Sequence, residues 1–533
     1  MASPEEITDP TELPTRAVGP VLGLVAAAVS LSVAELVAGL SGVRSPVIAV
    51  GDGVIDVVPS GVKTFAIATF GTNDKLALLI GIVAILLLFA AGLGTTARRS
   101  IAGAVAGLVL FAGVGIVAGV ASSDALPNAL LPAPIGAAAG IATLVAYRRV
   151  VGVAEHRTDP ALAAGLSLRT NKKMTADALD RRQFLFLTAG LTASAAAVGY
   201  GGRWLSGRVK ATASRLAVVL PRPFSALPPI ASGTTLGVPG VVPFVTPNSD
   251  FYRIDIALSL PQVSTEGWEL KIKGMVDRPL NLTFEDLLAR RLVETDITLV
   301  CVSNAVGGGL IGNARWLGVP LKELLNEAGV NPATATQVVG RSVDDYECGF
   351  PTSAAFDGRD AIVALGMNGE PLPIEHGFPA RLVVAGLYGY VSATKWLKEI
   401  ELTTLDGFDS YWVPRGWAKE APIKTESRID TPRRAAKLRT GANAIAGVSW
   451  AQTRGISKVE VRIDRGEWQE ARLGEELNRS TWRQWVYEWD APVGAHTLSV
   501  RATDGAGEVQ TAQRADPIPD GASGWHSVAV TVV

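Results

Sequence analysis

The stretch Thr298-Leu299-Val300-Cys301-Val302-Ser303-Asn304-Ala305-Val306-Gly307-Gly308-Gly309 decides how this chain is read. Its apolar opening predicts a buried strand over Ile297 to Val300, with the sulfur of Cys301 fixed at the strand's end. The glycines beyond it let a large ligand approach the backbone, because no Cβ stands in the way. A thiolate held there suits a soft metal ion. Two plainer readings of the residue stand beside this one, a disulfide to Cys348 and a buried, inert thiol. With two cysteines in 533 residues, a disulfide-rich scaffold and a cysteine-rich zinc or iron-sulfur site are ruled out. Four histidines, His156, His376, His496 and His526, leave little for a multi-histidine metal site.

Outward from Cys301 the signals alternate between helix and strand. Trp268 to Ile272 reads as a strand, Thr283-Phe284-Glu285-Asp286 as a capping-box start to a short helix ending near Arg290, and Leu321 to Ala328 as a helix closed by Gly329. Ala361 to Leu365 and Ala380 to Ala385 are apolar strands, and Trp396 to Leu402 returns to alternation, so this part is α+β. Before it, prolines at 221, 223, 228, 229, 239, 243 and 247 mark an extended segment from about Gly202 to Asn248, expected to wrap a surface without forming helices. After about Leu405 the helix signals vanish. Val459, Val461 and Ile463 alternate with charged residues, Asp464-Arg465-Gly466 turns the chain, and Trp482 to Trp489, His496 to Ala502 and Ser527 to Val532 add strands. About seven strands over roughly 100 residues suggest an immunoglobulin-like β-sandwich.

The N-terminal part is a different solvent problem. A mean hydropathy of +0.28 and 48% hydrophobic residues call for a membrane portion. Uncharged runs at Leu76 to Gly94, Ile101 to Ala121 and Ala125 to Tyr147 have the length that crosses a hydrocarbon core of about 30 Å. Ala17 to Leu40 and Phe184 to Gly201 bring the expected count to five spans. Glu35 sits near the end of its span, where a functional and a snorkelling carboxylate read alike. Ser45 to Phe70, interrupted by Asp52, Asp56, Pro59 and Lys63, reads as an interfacial or external loop. Arg98-Arg99 and the loop opened by Arg148-Arg149 are placed in the cytoplasm by the positive-inside rule, which puts everything after about Gly202 outside it. No span holds a histidine, which excludes a bis-histidine haem relay within these helices. Asp180-Arg181-Arg182-Gln183-Phe184-Leu185 reads either as a twin-arginine export signal or as a plain charged flank. The net charge of −1 gives no reason to expect a nucleic-acid partner.

Five ordered blocks resemble the sulfite oxidase family: Thr246-Pro247-Asn248 with Phe251-Tyr252-Arg253; Cys301 and Asn304 with Ala314-Arg315-Trp316-Leu317-Gly318-Val319-Pro320-Leu321; Met367 to Pro373 leading to His376-Gly377-Phe378-Pro379-Ala380-Arg381; Gly386-Leu387-Tyr388-Gly389 leading to Lys395-Trp396-Leu397; and, in the sandwich, Gly447 to Ala451, Trp482, Trp485 and Arg501 to Asp504. The resemblance covers about Pro243 to Val533 and none of the spans. It implies a pterin-dithiolene molybdenum cofactor, with Cys301 as metal ligand and two-electron oxygen-atom transfer as the reaction. By motif it assigns Asn248, Phe251, Tyr252, Ser342, His376, Arg381, Ser392 and Lys395 to the pterin or its phosphate, and Tyr346 to proton donation near the metal. Where members acting on sulfite carry anion-clamping arginines, this chain has Ala305, Val306 and glycines. Arg315 is the remaining arginine expected to reach the metal. Ile254-Asp255 replaces an Asn-His pair, which removes one possible pterin contact.

The expected architecture is multi-domain: a cytoplasmic tail (1–16), a four-span membrane region (17–149), a cytoplasmic basic loop with the twin-arginine motif (150–182), a fifth span (183–202), an extended linker (203–240), an α+β sulfite-oxidase-type molybdopterin domain (241–412) and an immunoglobulin-like dimerisation domain (413–533). The expected function is a membrane-anchored, extracytoplasmic molybdenum oxidoreductase without haem, acting on a small molecule. A separate electron donor or acceptor, the lipid bilayer and a second copy of the chain are its expected partners. Reduction of methionine sulfoxide in proteins, or of other S- or N-oxides, is the alternative within enzymes. A cofactor-free envelope-binding protein is the alternative outside them.

Overall fold

The structure, a computed structural model, describes residues 15–41, 43–58, 74–121, 126–155, 189–190, 192–199, 201, 208–257 and 259–533. It divides after Val209 into two compact units.

In the first unit, helices α1 (Thr15–Ser41), α2 (Pro46–Val57), α3 (Asp74–Arg99), α4 (Ile101–Ala121) and α5 (Pro132–Glu155) follow one another. Among the described residues four stretches are long and apolar enough to cross a membrane: Gly19–Ser41, Ile80–Arg99, Ile101–Ala121 and Pro127–Ala146. Small residues set the helix contacts. A Cβ on Gly94 would run into the α1 backbone at Gly19 and Gly23, and one on Gly136 would strike Ser30 and Ala34. Such close backbone approach is what packs helices when burial of apolar surface gives no net drive. Ile85, Leu88, Leu110 and Val117 point outward and are exposed, while Leu22, Ala26, Ala97, Leu108 and Leu144 pack inside.

Ser45 to Phe70 departs from the expected loop, since α2 occupies its first half with Pro46 in the opening turn. At 12 residues α2 is roughly 18 Å long, too short to cross. The Ser45 hydroxyl donates to Glu35, giving that carboxylate a polar partner at the end of α1. The twin-arginine residues Arg181 and Arg182 and the basic loop from His156 onward lie outside the described residues. Of the fifth span, only 189–190, 192–199 and 201 are described, and these are helical.

A correction comes where the two units join: Arg208–Ala217, which straddles the division, is a helix and not extended chain. The prolines begin only at Pro221, so nothing in this Ala/Arg/Lys-rich stretch breaks a helix. From 218 to 248 the chain runs extended across the surface except for one 3₁₀ turn at Ser232–Thr234. It binds Leu292, Asn313, Asp430, Glu475 and Gln484 by backbone and side-chain hydrogen bonds.

The α+β part contains β1 (Glu269–Gly274), β2 (Leu280–Thr283), β3 (Val293–Val300), β4 (Ile311–Pro320), β5 (Gln337–Ser342), β6 (Glu347–Pro351), β7 (Ala361–Met367), β8 (Glu370–Pro371), β9 (Arg381–Val384) and β10 (Leu397–Thr403). They form one sheet in the order β2-β1-β10-β5-β6 and another in the order β3-β4-β7-β8, with β9 paired to β7. The helix Phe284–Leu288 carries both bonds of the expected capping box, and Leu321–Glu327 ends before Gly329 at φ +72°. Strand β4 eluded the sequence reading because it is buried on both faces between β3 and β7 and so shows no alternation.

The remaining strands are β11 (Glu426–Thr431), β12 (Lys437–Leu438), β13 (Gly441–Trp450), β14 (Ile456–Ile463), β15 (Gln469–Glu470), β16 (Arg472–Leu473), β17 (Arg483–Ala491), β18 (Gly494–Asp504) and β19 (His526–Val532). They make two sheets, β11-β13-β17-β16 and β12-β19-β18-β14-β15. Ile429, Ile445 and Trp485 from one sheet pack against Val459, Val461, Leu498, Val500 and Val528 from the other, so this part is a β-sandwich.

Candidate active site

Cys301 follows the last residue of β3 with its side chain buried, and both cysteines are free thiols. Cys348 lies instead in the hairpin strand β6, its sulfur 2.7 Å from the Thr394 hydroxyl, and burial pushes its thiol up to about 11. The disulfide reading is therefore set aside. The backbone around Cys301 is closely held. Its N–H donates to Leu310 O at 2.9 Å, and Asn304 Oδ1 accepts from Leu310 N at 2.8 Å, closing the glycine loop. The β-sandwich braces both ends of this segment: Trp482 N donates to the Thr298 hydroxyl at 2.8 Å, and Arg428 Nη1 donates to Gly308 O at 2.9 Å. A Cβ on Gly307 would collide with the His526 ring, so this glycine serves close packing against the sandwich.

The sulfur opens onto a cleft enclosing about 750 Å³, counting the part open to solvent. Four segments carry the other walls. Phe251 and Tyr252 stack at 5.3 Å, and Phe251 meets the rings of Trp316 and His376 edge-on. Gly312 on β4 makes room for Phe251, since a Cβ there would stand 2.7 Å from the ring. His376 ends a 3₁₀ turn that Gly377 closes at φ +109°, a conformation that favours glycine. Its Nε2 lies 2.9 Å from Asn248 O, an obligate acceptor, so Nε2 bears the proton and Nδ1 is an acceptor. Burial first, then the nearby cations Arg381 and Lys395, push His376 down to about 4, so it is neutral.

Arg381 opens β9. Its Nη1 donates to His376 O at 3.1 Å, its guanidinium lies 5.1 Å from the Trp316 ring centroid, and its buried Nε has no partner. Among the described residues no carboxylate pairs with it, and burial pulls it down to about 10. Lys395 donates to Asp255 at 2.8 Å, and burial brings it to about 8 despite that partner. Burial also raises the Cys301 thiol, against hydrogen bonds from Ser303 and the pull of Lys395. A bound metal cation is what would make it a thiolate.

The β5–β6 hairpin supplies Ser342, Asp344 and Tyr346 to the cleft. The Tyr346 hydroxyl donates to Tyr390 O at 2.7 Å, and burial raises its pKa well above the usual value, so it keeps its proton.

Three expected residues sit elsewhere. Arg315 faces Asp296 across the β3–β4 ladder and donates to both carboxylate oxygens at 3.0 and 2.8 Å. That bidentate pair keeps it off the cleft wall, so it does not reach the metal position. The Ser392 hydroxyl bonds back to Leu387 O and Tyr388 O, and the Asn248 side chain bonds Glu370 and Asn368. Asn248 reaches the cleft only by orienting His376. Phe251, Tyr252, Cys301, Ser342, Tyr346, His376, Arg381 and Lys395 do converge on it. The sequence reading missed Asp344, Tyr390 and Trp412, and it took Asp255 only as a lost contact, though Asp255 holds Lys395 in place.

These walls fit an anionic pterin cofactor. A buried guanidinium without a counter-ion is costly, and a phosphate would supply the missing acceptor. Aromatic faces suit a fused heterocycle, and a free thiol suits molybdenum.

Residues 257–412 match the oxidoreductase molybdopterin binding domain. The chain is 28% identical over 337 residues to human mitochondrial sulfite oxidase, covering 54% of this chain and 60% of that protein. It is 29% identical over 348 residues to the nitrate reductase [NAD(P)H] of Hordeum vulgare, covering 53% and 38%. Among solved structures, the sulfane dehydrogenase SoxCD from Paracoccus pantotrophus aligns with a TM-score of 0.45 at 26% identity, covering 51% of this chain and 75% of that one. The chain thus spans 60% of the length of the human relative. From the matched domain and its relatives, residues 257–412 carry a molybdopterin-binding oxidoreductase domain of the sulfite oxidase family.

Proposed function

We propose that this protein is a membrane-anchored, extracytoplasmic oxidoreductase that carries out two-electron oxygen-atom transfer on a small substrate, with Cys301 as the protein ligand to molybdenum. The observation that carries the reading is the free, buried Cys301 thiol at the end of β3, opening onto a cleft that also holds a buried Arg381 with no carboxylate partner among the described residues. When bound, the molybdenum-pterin group supplies a centre that exchanges two electrons together with an oxygen atom. Arg381 and Lys395 neutralise anionic charge on the cofactor. Neutral His376 offers it an acceptor at Nδ1. Phe251 and Tyr252 give it an aromatic face, and Ser342 a hydroxyl. Tyr346 keeps its proton in a bond to Tyr390 O, and turning that hydroxyl towards the cleft would let it donate to a bound substrate and hold it in register.

The apolar helices anchor the protein in the bilayer, the arginine pairs orient it, the sandwich pairs two copies, and a separate protein exchanges electrons with the cleft. Reduction of S- or N-oxides is the second reading. It is favoured by the cleft's lack of a cation beside Cys301 other than Arg381 and Lys395 among the described residues. Metal analysis combined with dye-linked turnover of sulfite, sulfoxides and N-oxides tests the proposal. One molybdenum per chain and turnover that disappears in Cys301→Ser support it, and a metal-free chain from a pterin-competent host refutes it.

A further inference from the structure

Beyond the residues given to the cofactor, the cleft is lined by Asp344, Tyr390 and Trp412. Tyr390 and Trp412 belong, with Tyr346, to a run of aromatic rings that curves back on itself. Centroid distances are 5.8 Å from Tyr346 to Tyr411, 5.1 Å on to Trp412, 6.3 Å on to Trp417 and 5.7 Å back to Tyr390. The Tyr346 hydroxyl donates to Tyr390 O. Beside it, Asp344 Oδ1 accepts a weak 3.4 Å bond from Tyr346 N, the Ser342 side chain stabilises the carboxylate, and Oδ2 is buried with no partner among the described residues. Lys395 acts on Asp344 through space while bonded to Asp255 at 2.8 Å, and Arg415 lies over the Tyr411 ring at 3.7 Å. Two acids, Asp255 and Asp344, therefore balance two bases, Arg381 and Lys395, along the lining, before any anionic cofactor arrives.

We propose that Asp344, Tyr346, Tyr390 and Trp412 form a subsite for an alkylated ammonium group, so that the substrate is an organic cation rather than an inorganic oxyanion. Aromatic faces attract alkylammonium groups through the ring quadrupole. The half-buried Asp344 carboxylate supplies the opposite charge, and a bound cation would offset the burial that raises its pKa. An oxyanion in the same place would meet Asp344 and gain nothing from the rings. The inference rests on the proposed oxidoreductase function and narrows its substrate.

The test uses the molybdenum-loaded full chain in detergent, with tetramethylammonium and sulfate as probes in calorimetric titration. Saturable binding of tetramethylammonium is expected in the wild type, weakened about tenfold in Trp412→Leu and Asp344→Asn and within about threefold of the wild type in Trp412→Phe, which keeps a ring. Molybdenum content, read on each variant, shows that the site is otherwise intact. Sulfate binding without tetramethylammonium binding, binding of neither, or binding of the cation that both variants leave unchanged overturns the inference. Those outcomes with molybdenum retained leave the proposed function standing, whereas a metal-free chain refutes the function itself.

Discussion

Replacing Arg381 by methionine separates what the cleft does for the fold from what it does for the cofactor. The guanidinium is 5% exposed, and burial pulls it well below its usual value, to about 10. At about 1.4 kcal/mol for each tenfold change in proton affinity, the desolvated cation costs the empty protein about 3 kcal/mol at any pH below that value. Against this stand about 1.5 kcal/mol for the charged hydrogen bond to His376 O and about 0.5 kcal/mol for the contact with Trp316. These terms nearly cancel, so the cofactor-free Arg381→Met chain is expected to be about as stable as the wild type. The loaded protein behaves differently, because the variant has lost the cation that answers the cofactor's charge. Denaturant melts of full chain from pterin-deficient and pterin-competent hosts, with metal analysis of the latter, read both effects. A variant that loses more than about 2 kcal/mol when empty and still retains molybdenum would refute the assignment of Arg381.

Three further outcomes follow from the geometry. His376 and His526 are each pushed down to about 4, chiefly by burial, whereas the unfolded chain binds their protons near 6.5. Their stabilisation is thus complete above about pH 6.5 and is lost as pH falls through about 4; denaturation midpoints across that window show the slope, and His526→Gln flattens it. Gly312→Ala places a methyl group against Phe251 and is expected to lower both cofactor content and stability, the latter by about 2 kcal/mol in denaturant melts. Thr283→Ala removes the capping box of Phe284–Leu288, lowering stability by about 1 kcal/mol while cofactor content stays at the wild-type level.

Features written in local chemistry were legible in the sequence. The capping box at Thr283, the terminator Gly329, the turn at Asp464 and the strand leading to Cys301 each depend on a few neighbouring residues, and each appears where expected. Features set by distant partners were not. Arg315 looks free in sequence, yet Asp296 lies opposite it on the next strand and takes its guanidinium. Ser392 and Asn248 match the family motif by position, while their side chains are engaged by Leu387, Tyr388, Glu370 and Asn368. The helix Arg208–Ala217 was masked by prolines that begin only after it. Asp344 carries no signal of its own. Its meaning arises from a hairpin that buries one oxygen beside Tyr346 and from rings brought in some 45 to 70 residues later.

The central claim is a sulfur–metal bond, and X-ray absorption at the molybdenum edge tests it most directly. Wild-type protein compared with Cys301→Ser should show one sulfur neighbour fewer around the metal, or no metal at all, in the variant. An unchanged molybdenum content together with an unchanged count of sulfur neighbours would contradict the account.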